Sequence, residues 1–258
     1  MSRTCYNSLW IGPRLGVVER ACLLSVLRQG HRLRLWCYAK PDGVPLGVEI
    51  ADAATVLPAE SIVRHRNGSP SLFSNRFRYE LQRRALGPWI DADVYLLRPI
   101  PDRSYLFAYE NEWKINPSVL RLPSDSPLIP PLLAIFEERT IPPWISWRAR
   151  HRARWRLIMT GRTGLSHMPW GSAGPMALTA LARQHGLEAL ALPAALFHPV
   201  PWRQAAWLLE PDKKLEDVVV QETIGIHLWN ERIKHIKEGP APPGSFLARL
   251  QAESAAAP

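Results

Sequence analysis

The order strand, helix, strand at the start of the chain constrains its fold more than any other feature. Residues 8–12 form a short apolar run that ends in a glycine turn, which predicts a buried strand. Residues 15–29 carry apolar side chains at helical spacing and are followed by Gly30, a residue typical of a helix C-cap. Residues 32–38 alternate in polarity and predict a second strand. Such a βαβ unit has parallel strands, so we expect an α/β fold with a mostly parallel central sheet flanked by helices.

The ends of three predicted strands provide candidate ligand-binding positions. In open α/β sheets, ligands bind at the carboxyl ends of the strands. Here those ends are residues 11–13, residues 38–40 and the region around Asp91. We therefore expect the three ends to converge on one crevice.

Asp91 and Asp93 are separated by one residue at the third of these ends. A helix is predicted before them, with Ser74 as its N-cap and Gly87 as its stop. On an extended strand, side chains two positions apart point the same way, so both carboxylates could face one ligand. Adjacent carboxylates repel each other, and a divalent cation that carries a diphosphate relieves this repulsion. Solvated turn residues are the alternative interpretation of the pair.

Four short motifs occur along the chain. The first lies in the predicted helix, the second contains the acidic pair, and the other two follow later in the sequence. The motifs are Ser-x-x-x-Arg-Tyr from Ser74, Gly-x-Trp-x-Asp-x-Asp-Val from Gly87, Trp-Gly-x-x-Gly-Pro from Trp170 and His-x-Trp-Asn from His227. In this order they resemble glycosyltransferase family 32, a DXD-containing family of sugar transferases, and its bacterial capsular-polysaccharide relatives. The chain departs from the family pattern at Asn75, where the family has Asp, and at Pro88, where the family has a second Gly.

This resemblance implies a GT-A-like nucleotide-sugar-binding fold and a metal-dependent transfer of a hexose with retention at the anomeric carbon. The donor would be a nucleotide-diphosphate sugar, with UDP as the expected nucleotide. Asp91, Asp93 and His227 would hold Mn²⁺ or Mg²⁺, and Asp91 would contact the ribose or reach the metal through water. Arg78, Asp91 and Asp93 would be the catalytic residues, because the fork of Arg78 would hold the donor sugar or a phosphate. A core histidine that donates to the backbone is the alternative for His227.

The same resemblance assigns a set of residues to substrate binding. They are Trp10, Asp52, Ser74, Asn75, Arg78, Trp170, Gly171 and Gly174. Trp10 would lie against a uridine-like base, and Asp52 would touch the nucleotide. The glycine turn would line the donor-sugar or acceptor side of the cleft, because glycine allows close backbone approach. From the residues alone, a core aromatic, a loop cap and a structural helix entry are open alternatives for Trp10, Asp52 and this turn.

Composition narrows the class of protein. The 258 residues are 47% hydrophobic and 21% charged, which is ordinary for a soluble globular chain. Three cysteines without zinc-ligand spacing predict a reducing cytosol. The sequence shows neither a signal peptide nor a run of about 18 apolar residues, so we expect neither secretion nor a membrane span. The +9 net charge predicts an anionic partner, which nucleic acid, an acidic membrane surface and a phosphate-bearing substrate all satisfy.

Tryptophans and arginines are interleaved over residues 142–162. On a helix, Trp147, His151, Trp155 and Ile158 share one face, a pattern typical of a segment that lies on anionic lipid. A lipid-linked acceptor would explain such contact, and the cytoplasmic protein would then lie at the inner membrane face. Single-stranded nucleic acid would also suit the pattern, although it is the less favoured partner. A third interpretation is a surface helix whose tryptophans pack inward.

We expect one GT-A-like domain over residues 1–238, followed by a Pro/Ala-rich C-terminal tail over residues 239–258 that is linker and frayed end. The expected function is transfer of a hexose to a saccharide or lipid-linked glycan acceptor in surface polysaccharide synthesis. Two other classes stay open. A non-catalytic partner protein with a transferase fold would explain Asn75 and Pro88, and a basic nucleic-acid-binding module would explain the net charge.

Overall fold

A computed structural model describes residues 4–256 of the chain. The strands in these residues are β1 (Cys5–Trp10), β2 (Arg32–Cys37), β3 (Glu49–Asp52), β4 (Trp89–Ile90), β5 (Val94–Leu96), β6 (Leu106–Asn111), β7 (Lys114–Arg121) and β8 (Gly225–His227). Six of these strands form a central sheet in the order β3-β2-β1-β4-β7-β6, and β5 pairs with β8 in a separate two-stranded sheet. The two sheets meet in sequence between β4 and β5, where the acidic pair lies.

The central sheet is mostly parallel. β1 pairs in parallel with both β2 and β4, and β2 pairs in parallel with β3. The antiparallel pairs β4–β7 and β6–β7 complete the other edge. The predicted α/β fold with a mostly parallel central sheet flanked by helices is therefore confirmed.

Helices lie between the strands and after the last of them. They are α1 (Val17–Arg28), α2 (Ser71–Arg83), α3 (Ile129–Ala134), α4 (Trp147–Thr160), α5 (Pro175–Gln184), α6 (Asn230–Ile233) and α7 (Phe246–Ala255). Across the described residues, no helix combines the length and the apolarity that a membrane span requires.

The helix α2 packs against the sheet through Phe73, Phe77 and Leu81, which are fully buried. The ring of Phe77 meets that of Trp36 on β2 edge to face, with 5.9 Å between the centroids. The same helix carries Arg78, whose guanidinium lies 4.7 Å from the ring centroid of Trp89 on β4. The apolar packing therefore fixes where Arg78 can reach.

The ends of α2 differ from the prediction. The helix begins at Ser71, with Pro70 in the N-cap position, so the prediction that Ser74 is the N-cap is wrong. The backbone amide of Ser74 donates a hydrogen bond to the Pro70 carbonyl at 2.9 Å, so Ser74 lies within the helix. At the other end, Ala85 takes a left-handed conformation with φ 51° and ends the helix before Gly87.

The structure of α4 contradicts one of the three interpretations of residues 142–162. Trp147 and Trp155 are 67% and 56% exposed, so the tryptophans do not pack inward. Ala149 and Ala153 are buried instead. The interpretation of a surface helix with internal tryptophans is wrong, because small alanines form the inner face.

The end of the chain is a packed helix. Phe246, Leu247 and Leu250 of α7 are buried in a cluster with residues of α1 and β5. Phe246 meets Tyr95 edge to face at 5.5 Å. The expectation of a linker and frayed end is therefore wrong for residues 246–255, because an apolar stripe spaced three to four residues apart outweighs the alanine- and proline-rich composition. The proposed domain boundary after residue 238 stays a prediction.

The packing of α7 leads to a test of stability. We expect Leu250→Ala to lower the free energy of unfolding by about 2–4 kcal/mol, because it leaves a cavity at a fully buried position. Ala252→Ser, at an exposed position of the same helix, should change it by less than about 0.5 kcal/mol. Urea unfolding followed by circular dichroism measures both values. Equal stability of the two variants would contradict a packed C-terminal helix.

Candidate functional site

The acidic pair lies in a turn between two strands. The strand β4 ends at Ile90, and the chain turns through residues 91–93 before β5 begins at Val94. The Val94 amide donates to the Asp91 carbonyl at 3.1 Å, and the Asp91 amide donates to the Ser118 carbonyl of β7 at 2.7 Å. The prediction that both carboxylates share one face of an extended strand is therefore wrong, and a hydrogen-bonded turn sets their positions.

The small sheet brings His227 to this turn. Val94 pairs with His227 across β5 and β8, and the Leu228 amide donates to the Asp93 carbonyl at 2.9 Å. The His227 Nε2 then lies 3.3 Å from the Asp93 Oδ2. One ligand atom from each of Asp91, Asp93 and His227 lies within 4.8 Å of the others, so the three side chains could hold a metal ion.

The Asp93 carboxylate is also held from the next turn. The Asn230 amide, at the start of α6, donates to the Asp93 Oδ2 at 2.7 Å. The preceding residue, Trp229, has a left-handed backbone with φ 57°. Its ring lies 4.2 Å from that of His227, centroid to centroid, and its indole N–H donates to the Val200 carbonyl at 2.8 Å. These contacts compensate the backbone strain at Trp229.

The two carboxyl groups have opposite pKa shifts. Burial acts to raise the pKa of Asp93, but the adjacent His227 and the hydrogen bonds from His227 and Asn230 outweigh burial and lower that pKa to about 2. Burial raises the pKa of Asp91 above its usual value, opposed by the charge of Arg78. Burial acts to lower the pKa of His227, and the Asp93 charge reverses this and raises it. Asp93 is therefore the stronger acid of the pair and loses its proton at a lower pH than Asp91 does.

Arg78 lies behind Asp91. Its Nη2 is 2.9 Å from the Asp91 Oδ1 and donates to the Ser74 Oγ at 3.1 Å, while its Nη1 donates to the Pro117 carbonyl. The same Asp91 oxygen accepts from the Trp89 indole at 2.7 Å. The guanidinium of Arg78 is therefore bound by protein groups, and it holds Asp91 in position. Its contact with a donor stays a prediction.

A second buried histidine lies behind His227. His198 contacts the Tyr109 carbonyl through Nδ1 at 2.8 Å and the Ser118 Oγ through Nε2 at 2.9 Å. Because a carbonyl only accepts, Nδ1 carries the proton and Nε2 accepts from the hydroxyl. Burial, with His227 nearby, lowers the pKa of His198 well below its usual value. Its ring is thus a neutral support, 5.4 Å from the ring of His227. His198 has no role at the site in the sequence-based prediction, because its partners lie on strands far from it in sequence.

Two polar atoms at the site lack partners. The His227 Nδ1 and the Asn230 Oδ1 are buried and find no hydrogen-bond partner among residues 4–256. Buried polar atoms in native proteins are normally paired. Such orphaned atoms beside an Asp-Asp-His group fit a site that is completed by a ligand. The sequence motif included Asn230 without assigning its side chain a role.

Several predicted substrate-binding residues lie around the N-terminal half of α2. Ser74 bonds Arg78 within the helix. Asn75 packs against Gly174, where a Cβ would come within 2.9 Å of the Asn75 amide nitrogen. Gly171 has φ 79°, and its carbonyl accepts from the Gly174 amide at 3.1 Å. The structure therefore brings Ser74, Asn75 and the glycine turn together, and their contacts with substrate stay predictions.

The other predicted residues have local protein contacts. Trp10 lies at the end of β1, and its indole donates to the Arg14 carbonyl at 3.1 Å. Asp52 is exposed at the end of β3 and accepts from the Ala54 amide at 2.9 Å, as a loop cap does. Trp170 is 51% exposed and stacks on His65. These contacts leave open the predicted roles of the three residues toward a nucleotide or sugar.

No protein-family model matches the chain, and no curated protein sequence matches it significantly. Among solved structures, the chain is similar to "PaToxG Glycosyltransferase", with a TM-score of 0.41 and 11% sequence identity over 71% of this chain and 69% of that chain. A similar structure is thus that of a glycosyltransferase, but this degree of similarity carries no functional argument. The resemblance to family 32 stays a prediction.

The position of Arg78 leads to a second test. We expect Arg78→Met to lower the free energy of unfolding by about 3 kcal/mol, because it leaves the Asp91 carboxylate without its partner in a mostly buried site. Adding Asp91→Asn to this variant should recover part of the loss, because the uncompensated charge is removed. Urea unfolding of the two single variants and the double variant gives the coupling.

The matched control for this cycle is Arg83→Met. Arg83 lies on the same helix and forms an ion pair with Glu80, but its side chain is 50% exposed. We expect a change of less than about 0.5 kcal/mol. An Arg78 variant that is no less stable than the Arg83 variant would contradict the supporting role of Arg78.

Proposed function

We propose that this protein is a metal-dependent glycosyltransferase. It would move a hexose from a nucleotide-diphosphate sugar, with UDP as the expected nucleotide, to a saccharide or lipid-linked glycan acceptor in surface polysaccharide synthesis. The observation that carries this proposal is the convergence of Asp91, Asp93 and His227 directly after the parallel strand β4. Ligands of open α/β sheets bind at the carboxyl ends of such strands.

The donor set supports Mn²⁺ or Mg²⁺ as the metal. Carboxylate oxygens are the ligands that these hard cations prefer, and a neutral imidazole also binds transition metals such as Mn²⁺. The Asp93 Oδ2 and the His227 Nε2 lie 3.3 Å apart, close enough for both side chains to hold one ion. The unpartnered polar atoms of His227 and Asn230 support a site completed by a ligand. Together these features fit a cation bound with a diphosphate.

Each side chain has a role in this proposal. A bound metal would neutralise the negative charge that develops on the diphosphate leaving group. Asp93 and His227 would hold the metal, and Asp91 would contact it through water or bind the ribose. Arg78 would keep Asp91 oriented through the contact between them. Ser74, Asn75 and Arg78 would bind the donor sugar or its phosphate.

The remaining predicted residues would surround the donor. Trp10 ends β1 and Asp52 ends β3, on the two sides of β2 at the carboxyl edge of the parallel sheet, where the uridine and ribose would bind. Trp170, Gly171 and Gly174 would line the sugar or acceptor side, with the exposed Trp170 ring offering an apolar surface to a sugar. Retention at the anomeric carbon is part of the proposal through the family resemblance, and no nucleophile is assigned.

The first test is calorimetric titration of UDP with and without Mn²⁺. We expect binding that requires the metal and weakens at least about tenfold in Asp93→Ala and in His227→Ala, because each substitution removes a ligand. Asp125→Ala is the matched control, since Asp125 is exposed and lies outside the Asp-Asp-His group. It should bind as the wild type does.

Each outcome of this titration has a defined meaning. UDP binding that does not depend on Mn²⁺, or that survives Asp93→Ala, would contradict the metal site. Metal-dependent binding of GDP in place of UDP would correct the nucleotide. Absence of binding by both nucleotides would favour the non-catalytic partner protein.

A further test concerns the reaction. We expect slow metal-dependent hydrolysis of a UDP-α-hexose to UDP and an α-configured sugar, because a retaining enzyme also transfers to water with retention. Proton NMR at early times reports the anomer before mutarotation. Release of the β-anomer would contradict retention while leaving the transferase proposal intact.

A further inference from the structure

The helix α4 presents an apolar stripe to solvent. Trp147, Trp155, Ile158 and Met159 are 67%, 56%, 74% and 76% exposed. At 100° per residue, these positions fall within one third of the helix surface. Single exposed apolar residues are normal on proteins, but a contiguous row of large ones marks a surface that contacts another apolar phase or partner.

Five arginines lie within this stripe or to its sides. They are Arg148, Arg150, Arg152, Arg154 and Arg156. The helix contains no Asp or Glu residue, so none of its own side chains neutralises these charges. At 100° per residue, Arg152 lies just beyond one edge of the stripe and Arg154 just beyond the other. Arg148 falls within the stripe, and all three side chains are exposed. The outer face of α4 therefore combines large apolar side chains with exposed cationic ones.

The helix α4 packs on the rest of the protein through its inner face, and its outer face is exposed. Its buried contacts with the chain are made by the small residues Ala149 and Ala153. A pocket of about 160 Å³ lies between this helix and residues 163–169. Its charged lining consists of Arg66, Arg152 and Arg156, with His167 beside them. None of the described residues that line it is acidic, so the positive potential of the helix extends into the adjoining loop.

We propose that α4 lies on the surface of a bilayer that contains anionic phospholipid. The apolar stripe would enter the boundary between headgroups and acyl chains, and the arginines would extend to the lipid phosphates. This inference goes beyond the proposed function and does not rest on it, because it uses none of the metal-site residues. It assigns a place of action to the protein whatever chemistry the site performs.

The side chains favour lipid over nucleic acid. Single-stranded nucleic acid binds through aromatic rings that stack on bases, together with a positively charged groove that follows the backbone. Here the two most exposed members of the stripe, Ile158 and Met159, are aliphatic and offer no stacking surface. Their position beside two tryptophans is typical of an interfacial helix, in which indoles lie at the headgroup level.

Vesicle flotation of the full-length protein tests the proposal. We expect binding to vesicles of phosphatidylcholine with phosphatidylglycerol, and at least about tenfold weaker partition onto phosphatidylcholine alone. Arg148→Glu/Arg154→Glu should reduce partition onto the anionic vesicles at least about tenfold, because juxtamembrane cations each contribute attraction to an anionic surface. Trp147→Ala/Trp155→Ala should reduce it at both low and high salt, because an apolar contact is not screened.

The control variant is Trp113→Ala/Arg103→Glu. Both residues are exposed and lie away from α4, in the β6–β7 turn and the loop before β6. We expect this variant to bind vesicles as the wild type does. All substituted positions are exposed, and circular dichroism with a thermal melt verifies that each variant is folded. Metal-dependent UDP binding, measured on the same samples, should be unchanged, which separates a failure of this proposal from a failure of the proposed function.

Four results would overturn the proposal. One is the absence of binding to anionic vesicles. The second is equal loss of binding in the control variant. The third is vesicle binding that the Arg148→Glu/Arg154→Glu variant retains. The fourth is salt-sensitive binding of single-stranded RNA that this variant loses while vesicles are not bound, which would assign α4 to nucleic acid.

Discussion

The backbone pairing of Val94 with His227 is the interaction on which the candidate site depends. It joins two three-residue strands that lie outside the central sheet and places the imidazole against Asp93. The amide of Asn230, 137 positions along the chain from Asp93, then binds the same carboxylate. The buried ring of His198 and the half-buried ring of Trp229 pack against the histidine. A change of register by one residue would turn His227 to the opposite face and separate it from Asp91 and Asp93.

Much of this arrangement could be predicted from the sequence, although partly for the wrong reason. The βαβ opening follows from local periodicity and predicts the parallel sheet, which the structure confirms. Asp91, Asp93 and His227 were identified from their motifs and do lie together. The extended strand predicted for Asp91 and Asp93 is wrong, since both residues lie in a turn. A two-residue strand such as β4 is too short for its end to be located from side-chain alternation.

Features set by distant contacts could not be predicted. The bond between His198 and Ser118 joins a loop to β7, and neither residue's neighbours in sequence indicate the other. The helix α7 has a composition typical of a tail, and only its packing against α1 and β5 shows that its leucines are core residues. The exposed tryptophans of α4 are a related case. A sequence pattern shows that one face of a helix is apolar, but not whether that face is covered by protein.

The left-handed backbone of Trp229 has a consequence for how this part of the chain can vary. A residue with a Cβ loses about 1–2 kcal/mol in that conformation, and glycine would remove the cost. Glycine, however, would also remove the ring that packs on His227 and the indole that binds the Val200 carbonyl. At position 229, glycine would therefore favour the local backbone, whereas tryptophan favours a rigidly held imidazole.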